Sequence, residues 1–261
     1  MSVDVSARTY WTGYKTILIK EVTRILRIWP QTLIPPVITM TLYFVIFGSI
    51  IGRRVGEMGG IDYMEFIVPG LIMLSVITNS YGNITSSFFG AKFGKHIEEL
   101  LISPLPPWII LAGYVSGAMF RALTVGFLVW LVAGFFSGFF MNNVLVTLSI
   151  LFLTAVVFAL GGFINAIYAQ KFDDIAIIPT FVLQPMTYLG GVFFSVGLLP
   201  GIWEQVALGN PILYMVNALR YGMLGISDVS LGLAYFMILL FGAILGSVSL
   251  LLLSRGTGLR T

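Results

Sequence analysis

Apolar residues in this 261-residue chain come in long runs separated by short breaks rich in polar residues, glycine or proline. Six runs approach the ~20 residues that a helix needs to cross a bilayer: 33–51, 66–89, 108–136, 144–169, 175–196 and 231–254. None alternates with period two, so a membrane β-barrel is not expected. The pattern predicts an all-α membrane protein with six transmembrane helices.

Three stretches outside those runs carry pattern of their own. Before the first run, Trp11, Tyr14, Leu18, Val22, Ile25 and Trp29 recur at a spacing of three and four, while Lys15, Lys20, Arg24 and Arg27 take the other faces. This predicts an amphipathic N-terminal interfacial helix, with its basic residues near anionic headgroups. It either anchors the chain or docks a partner. Between runs two and three, Phe93, Ile97, Leu100 and Leu101 share one helical face, opposite Lys95, Glu98 and Glu99. Pro104, Pro106 and Pro107 then stop the helix, because each ring clashes with the preceding turn and lacks an N–H. A short stiff helix over 95–101, lying on the membrane surface, is the result. The third stretch, 196–227, is too apolar for a solvated loop, yet Pro200, Gly201, Gly209 and Pro211 cut it into two pieces. Each is shorter than a crossing. Two re-entrant half-helices between spans five and six are expected, buried in protein or lining a cavity.

Composition removes the soluble alternatives. The chain is 58% hydrophobic and 10% charged, with mean hydropathy +0.99; a soluble domain carries about a quarter charged residues. With no cysteine, disulfides, thiolate catalysis and cysteine-ligated metals are excluded. A net charge of +3 is too dispersed to suggest nucleic acid, and no secretory signal is evident at the amino terminus. The placement of the charges speaks to topology instead. Arg8, Lys15, Lys20, Arg24, Arg27, Lys92, Lys95, Lys171, Arg255 and Arg260 share one side if there are six spans, against Arg53, Arg54 and Arg220 on the other. The positive-inside rule then puts both termini and the 95–101 helix in the cytoplasm. The chain divides into a cytoplasmic interfacial helix (1–30), a six-helix bundle (31–254) and a cytoplasmic tail (255–261), all one permease domain.

Several segments together resemble a known family. Glu98-Glu99-Leu100-Leu101-Ile102-Ser103-Pro104-Leu105-Pro106-Pro107, then Pro185-Met186-Thr187-Tyr188-Leu189-Gly190-Gly191, Leu199-Pro200, Asn210-Pro211 and Ala218-Leu219-Arg220, are similar in order and spacing to type-2 permeases of ATP-binding-cassette (ABC) exporters. Bacterial inner-membrane transport permeases are the nearest of these. The resemblance implies a homodimer of permease chains, embedded in membrane lipids and paired with two copies of a separate ATPase. ATP and magnesium would sit in that partner, with no cofactor in this chain, which has no Gly-x-x-x-x-Gly-Lys-Ser/Thr loop. By the same resemblance the 95–101 helix is a coupling helix, so Lys95, His96, Glu98, Glu99, Leu100 and Leu101 face the ATPase. Asp173 and Asp174 would be a second cytoplasmic contact. Pro200, Gly201, Asn210, Pro211 and Arg220 belong to an outer gate. The short 52–64 connection leaves no large external domain.

Other residues stand out chemically. Arg121 falls midway along span three, where a charge costs at least ~2.5 kcal/mol on insertion scales, so it faces protein or water. It either lines a pathway for an anionic group or is satisfied by carbonyls, polar neighbours or a dimer contact. Asn79 and Asn83 share a helical face in the polar half of span two, either as interhelical hydrogen-bond partners or as a hydrated wall. Gly113-x-x-x-Gly117 and Gly242-x-x-x-Gly246 read as packing motifs. His96, the only histidine, has no partners for a metal site. A secondary transporter driven by an ion gradient is the alternative function. It would want carboxylates near the midplane, and the core spans have none there. A membrane enzyme would need a catalytic cluster, and none is evident.

Overall fold

The computed structural model describes residues 7–139 and 141–258. It is 82% helical. The elements run α1 (Ala7–Arg27), α2 (Trp29–Tyr43), a π-helical segment (Phe44–Ile51) and α3 (Gly52–Val55), then the two-residue strands β1 (Glu57–Met58) and β2 (Ile61–Asp62). There follow α4 (Tyr63–Phe93), α5 (Ile97–Ile102), α6 (Pro107–Ser137), α7 (Val144–Tyr168) and α8 (Asp174–Ile178). A second π-helical segment (Pro179–Leu183) leads to α9 (Gln184–Leu189), a 3₁₀ turn (Val196–Leu198), α10 (Ile202–Leu208), α11 (Pro211–Leu224) and α12 (Leu231–Arg255). The strands pair antiparallel, Glu57 with Asp62 and Met58 with Ile61. Gly59 and Gly60 close this ribbon, both with positive φ as a two-residue primed turn requires.

Among the described residues, five helical stretches are long and apolar enough to cross a membrane: Trp29–Val55, Tyr63–Phe93, Pro107–Ser137, Val144–Tyr168 and Leu231–Arg255. The fifth run of the sequence, 175–196, differs. Its helix spans 174–189 and ends at Gly190 and Gly191, short of the ~20 residues of a full crossing. Proline at 179 and 185 removes two backbone donors inside it, and the π-helical turn lies between them. The two pieces expected after it are present as α10 and α11, separated at Gly209 and Asn210.

α4 is the axis of the bundle. It packs along α6 and α7, with α1 outside α6, α12 outside α7, and α11 wedged against α4, α7 and α12. Most of α4 is buried, and its exposed stripe is Thr78, Gly82 and Ser86. The core divides into a large cluster around Phe66, Leu71 and Leu213, and a second cluster around Phe88, Tyr114 and Phe163 nearer α5.

α1 departs from the interfacial helix in one respect. Its buried face is Ile17, Glu21 and Ile25, while Trp11 and Trp29 are more than half exposed. The reason is α6, where the absence of side chains at Gly113 and Gly117 lets α1 approach closely. A Cβ on Gly113 would meet Ile17 at 2.6 Å, and one on Gly117 would meet Glu21 Cβ at 2.5 Å. The first glycine pair is therefore a packing motif, with α1 as its partner. Gly242 and Gly246 only make ordinary contact with Val157 and Leu160.

Candidate functional site

The structure brings the sequence-singled residues together in three places. The first is the end of the bundle carrying α5. α4 stops at Gly94, and Lys95 turns the chain with φ 61°, so α5 begins at Ile97 rather than at Lys95. Phe93 accordingly belongs to the last turn of α4 and does not share a face with Ile97. Ile97 is buried in the core beside Phe88 and Phe89, and Leu100 and Leu101 are half-buried against it. Lys95, His96, Glu98 and Glu99 are exposed. Ile102, assigned no role in the contact from the sequence, is 86% exposed at the tip. Ser103 adopts extended backbone and ends α5, as a residue preceding proline must. On α6, Pro107 occupies the first turn, where a missing N–H costs nothing.

The connection after α7 lies against the end of α4, where the chain turns toward α5. Phe172 packs edge-on to Phe89 at 5.1 Å and Phe93 at 5.0 Å between ring centroids, while Lys92 Nζ donates to the Ala169 carbonyl at 2.8 Å. Asp174 Oδ2 accepts from the backbone N–H groups of Gln170 at 2.8 Å and Lys171 at 2.9 Å, and these hold its carboxyl below the usual carboxylate range. Asp174 thus shapes its own turn, and Asp173 is the more exposed of the two.

The second place is the opposite end. Arg220 is buried within α11, and both terminal nitrogens of its guanidinium are engaged. Its Nη2 donates to the Gly191 carbonyl at 2.6 Å and its Nη1 to Asn217 Oδ1 at 3.2 Å. Asp228 stands 3.9 Å from Nη1, and the guanidinium lies 3.9 Å over the Phe66 ring. Asp228, unnoticed in the sequence, also accepts from Ser195 Oγ and the Val196 N–H. Asn210 caps α11 through the Ile212 N–H and donates to the Met186 carbonyl, with Pro211 opening the helix. Pro200 and Gly201 (φ 50°) turn the chain into α10, which is exposed except at Ala207. Arg220, Asn217, Asp228 and Asn210 form one assembly tying 186–196 to α11, and Pro200 and Gly201 only lead into α10.

The third place is a cleft of about 350 Å³ between α2, α4, α6 and α9. Thr78, the central residue of the 31-residue helix α4, and Arg121, one residue before the centre of the 31-residue helix α6, both line it. Asn79, Gln31, Gln184 and Thr187 add polar groups, Tyr43 and Tyr188 add hydroxyls, and Pro35, Met40 and Leu74 complete an apolar side. Arg121 has no hydrogen-bond or ion-pair partner among the described residues, and its buried Nε is unsatisfied. That favours the lining role over an arginine satisfied by carbonyls within its own chain. Asn79 donates to the Ser75 carbonyl at 2.9 Å and keeps its face on the cleft.

Asn83, one turn on, goes elsewhere. Its Oδ1 accepts from Arg24 Nη2 at 2.9 Å. Arg24 also pairs with Glu21 at 3.0 Å, and Ser87 Oγ donates to that carboxylate at 2.7 Å. Glu21 is completely buried between α1, α4 and α6. A carboxylate four residues from both Ile17 and Ile25 was a readable signal, because it interrupts an apolar face at helical spacing.

Polar side chains exposed at mid-depth of an apolar bundle are costly in lipid, and membrane proteins keep them where something other than lipid meets them. A multi-pass helical protein built around such a cleft is a transport permease in class. Residues 12–224 match the family model described as ABC-2 type transporter, and the chain belongs to that family. It is 52% identical over 252 residues to the inner membrane transport permease YadH of Escherichia coli K12, covering 97% of this chain and 98% of that one. It is also 28% identical over 213 residues to nodulation protein J of Rhizobium leguminosarum bv. viciae, covering 80% and 82%. Family and apolar helices together make it the membrane subunit of an ABC transporter, multi-pass in the inner membrane.

Proposed function

We propose that this chain is the pathway-forming half of an ATP-driven exporter, working as a homodimer with two copies of a separate ATPase that carries ATP and magnesium. Both termini and α5 face the cytoplasm, and the 174–189 helix with its following turn counts as a sixth, incomplete span. The observation that carries the reading is α5. It is anchored by Ile97 in the core yet presents Lys95, His96, Glu98, Glu99 and Ile102 outward, at the junction of α4 and α6. Force applied there reaches the two helices that line the cleft, through a packed and bistable contact rather than a soft loop. The second contact, around Asp173, is joined through Phe172 to the end of α4, from which the chain turns into α5. Arg220 and its neighbours close the outer end.

The cleft supports the dimer. Thr78, Thr39, Gln31 and Gln184 are exposed in a single chain, and a second copy with a hydrated path between would remove them from lipid. The test reverses the charge of the exposed acids. Glu98→Arg combined with Glu99→Arg is expected to abolish co-purification of an ABC ATPase with the permease while the permease still inserts and runs monodisperse. Undiminished co-purification overturns the docking role of α5.

A further inference from the structure

Arg121 is the one charged side chain among the residues lining the mid-depth cleft. A guanidinium offers five N–H donors and no acceptor, and none of the five is engaged among the described residues. No carboxylate lines the cleft. The next cation, Arg24, adds its field to that of Arg121. Glu21, which partly offsets Arg24, is spent on Arg24 and Ser87 and lies off the cleft. Donors also come from the amides of Gln31 and Gln184 and from the hydroxyls of Tyr43 and Tyr188. This is an arrangement for an oxyanion, held by a planar fork that suits phosphate and carboxylate geometry.

Depth and lining decide what carries the anion. Thr78 is the central residue of α4 and Arg121 lies one residue from the centre of α6, so the cleft sits near the midplane. A free hydrated ion arriving there must shed water against apolar walls, at a cost of several kcal/mol or more. An amphiphile does not, because its tail stays in hydrocarbon. Pro35, Pro36, Met40 and Leu74 form the apolar side of the cleft. Outside it, Ile34 and Ile38 on α2 and Phe181 and Val182 before α9 are exposed. A volume of about 350 Å³ is at the low end of ligand pockets, near ~300 Å³, and suits a compact headgroup.

The two walls nearest the mouth are also the two irregular helices. α2 carries Pro35 and Pro36 and continues into a π-helical segment, and 174–189 carries Pro179, Pro185 and another. Prolines remove the donors that the carbonyls of Gln31 and Thr32 would otherwise receive. Such helices rearrange locally at less cost than regular ones, so the mouth is the part of the bundle built to move.

We propose that the Arg121 cleft binds the compact oxyanionic headgroup of an anionic amphiphile, with its acyl portion lying against α2 and the 174–189 helix. This deepens the exporter reading by naming a cargo class, and rests on it only for the role of the site in transport. The site is testable without the ATPase. Purified permease in phosphatidylcholine nanodiscs would be titrated with dioctanoyl phosphatidic acid, with dioctanoyl phosphatidylcholine and with inorganic phosphate, and bound ligand counted by native mass spectrometry. Wild-type protein is expected to prefer phosphatidic acid to phosphatidylcholine about tenfold, and Arg121→Gln to lose about that factor. Arg121→Lys should fall between, and Arg255→Gln should change nothing. Equal binding of the two lipids overturns the proposal, as does full affinity in Arg121→Gln. Displacement by inorganic phosphate at matching concentration overturns the amphiphile in favour of a free anion. If Arg121→Gln is not monodisperse, the lipid preference of the wild type and the cleft-filling variant Thr39→Trp decide the matter; undiminished binding in Thr39→Trp overturns it. ATPase co-purification is expected to survive Arg121→Gln, so failure here and failure of the exporter reading are separable.

Discussion

Two arginines lie inside the helical bundle, and their surroundings are opposite. Arg220 is met by the Gly191 carbonyl, Asn217, Asp228 and the face of Phe66, so its charge has partners and both terminal nitrogens donate, while its Nε, like that of Arg121, has no partner among the described residues. Arg121 has no hydrogen-bond or ion-pair partner among the described residues. The same residue type therefore holds one part of the fold together and leaves another part unsatisfied. A buried charge with partners is structural, because removing it orphans those partners; a buried charge without partners adds nothing to stability and persists for another reason. The first region ties two segments of the chain together, and the second is the site proposed above.

The contrast is most easily broken by deleting each side chain. Arg220→Ala takes the donor from the Gly191 carbonyl and the cation from Asp228, while Asn217 Oδ1 keeps the Asp228 N–H and Asp228 keeps Ser195 and the Val196 N–H. The expected cost is about 3 kcal/mol, the lower end for broken buried pairs because Asp228 is partly exposed. The thermal midpoint in detergent should fall sharply, and the tie between 186–196 and α11 should loosen. Arg121→Ala should leave the midpoint unchanged within ~0.5 kcal/mol, or raise it, since a desolvated cation is removed. Equal losses in the two variants would erase the distinction between the two arginines.

Glu21 offers a smaller version of the same test at the other end of the bundle. Its carboxylate is completely buried but accepts from Ser87 and Arg24, so it belongs with Arg220 rather than with Arg121. Glu21→Gln keeps the shape and turns one acceptor oxygen into a donor facing other donors. A loss of about 2 kcal/mol is expected, in the range for hydrogen bonds to charged groups. Combining it with Arg24→Gln should recover part of that loss, because the two changes remove a single pair. Strict additivity would show that the pair is not coupled.

The sequence made the bundle legible because a bilayer demands long apolar runs, and every such run except 175–196 appears as a full-length helix. That exception was legible only in composition. Pro179 and Pro185 sit among apolar residues that hydropathy counts in favour of a span, whereas the Gly190-Gly191 turn that ends the helix carries little hydropathy of either sign. α5 was visible from its spacing and its prolines, but its start was misplaced by two residues. Nothing in the side chain of Lys95 announces a positive φ; Gly94 before it is the better marker of the break. The pathway residues were half legible. Arg121 stood out because charge at mid-span is rare, while Gln31, Gln184 and Tyr188 did not, since only the fold brings α2 and α9 to one cleft with α6. Asn79 and Asn83 share a face by periodicity and yet part company. Arg24, carried in by α1, claims Asn83, and that contact depends on glycines at 113 and 117 rather than on anything in α4.

The smallest expected effect on stability is also the sharpest probe of the cleft. Thr78 already uses its hydroxyl on the Leu74 and Ser75 carbonyls of its own helix, so Thr78→Cys should move the midpoint by no more than ~0.5 kcal/mol. Reactivity is where the variant differs from a lipid-facing one. A charged methanethiosulfonate attacks the thiolate, and a thiol in hydrocarbon does not ionise. Ile38→Cys, on an exposed apolar position of α2, serves as the comparison. Because the chain has no other cysteine, each variant carries a single reporter. Thr78→Cys is expected to react at least about tenfold faster than Ile38→Cys, given that a pKa raised by one unit alone removes tenfold of the thiolate. Equal, slow reaction at both positions would mean that the exposed side of α4 meets lipid like the rest of the surface, and Arg121 would then need a covering partner rather than water and a headgroup.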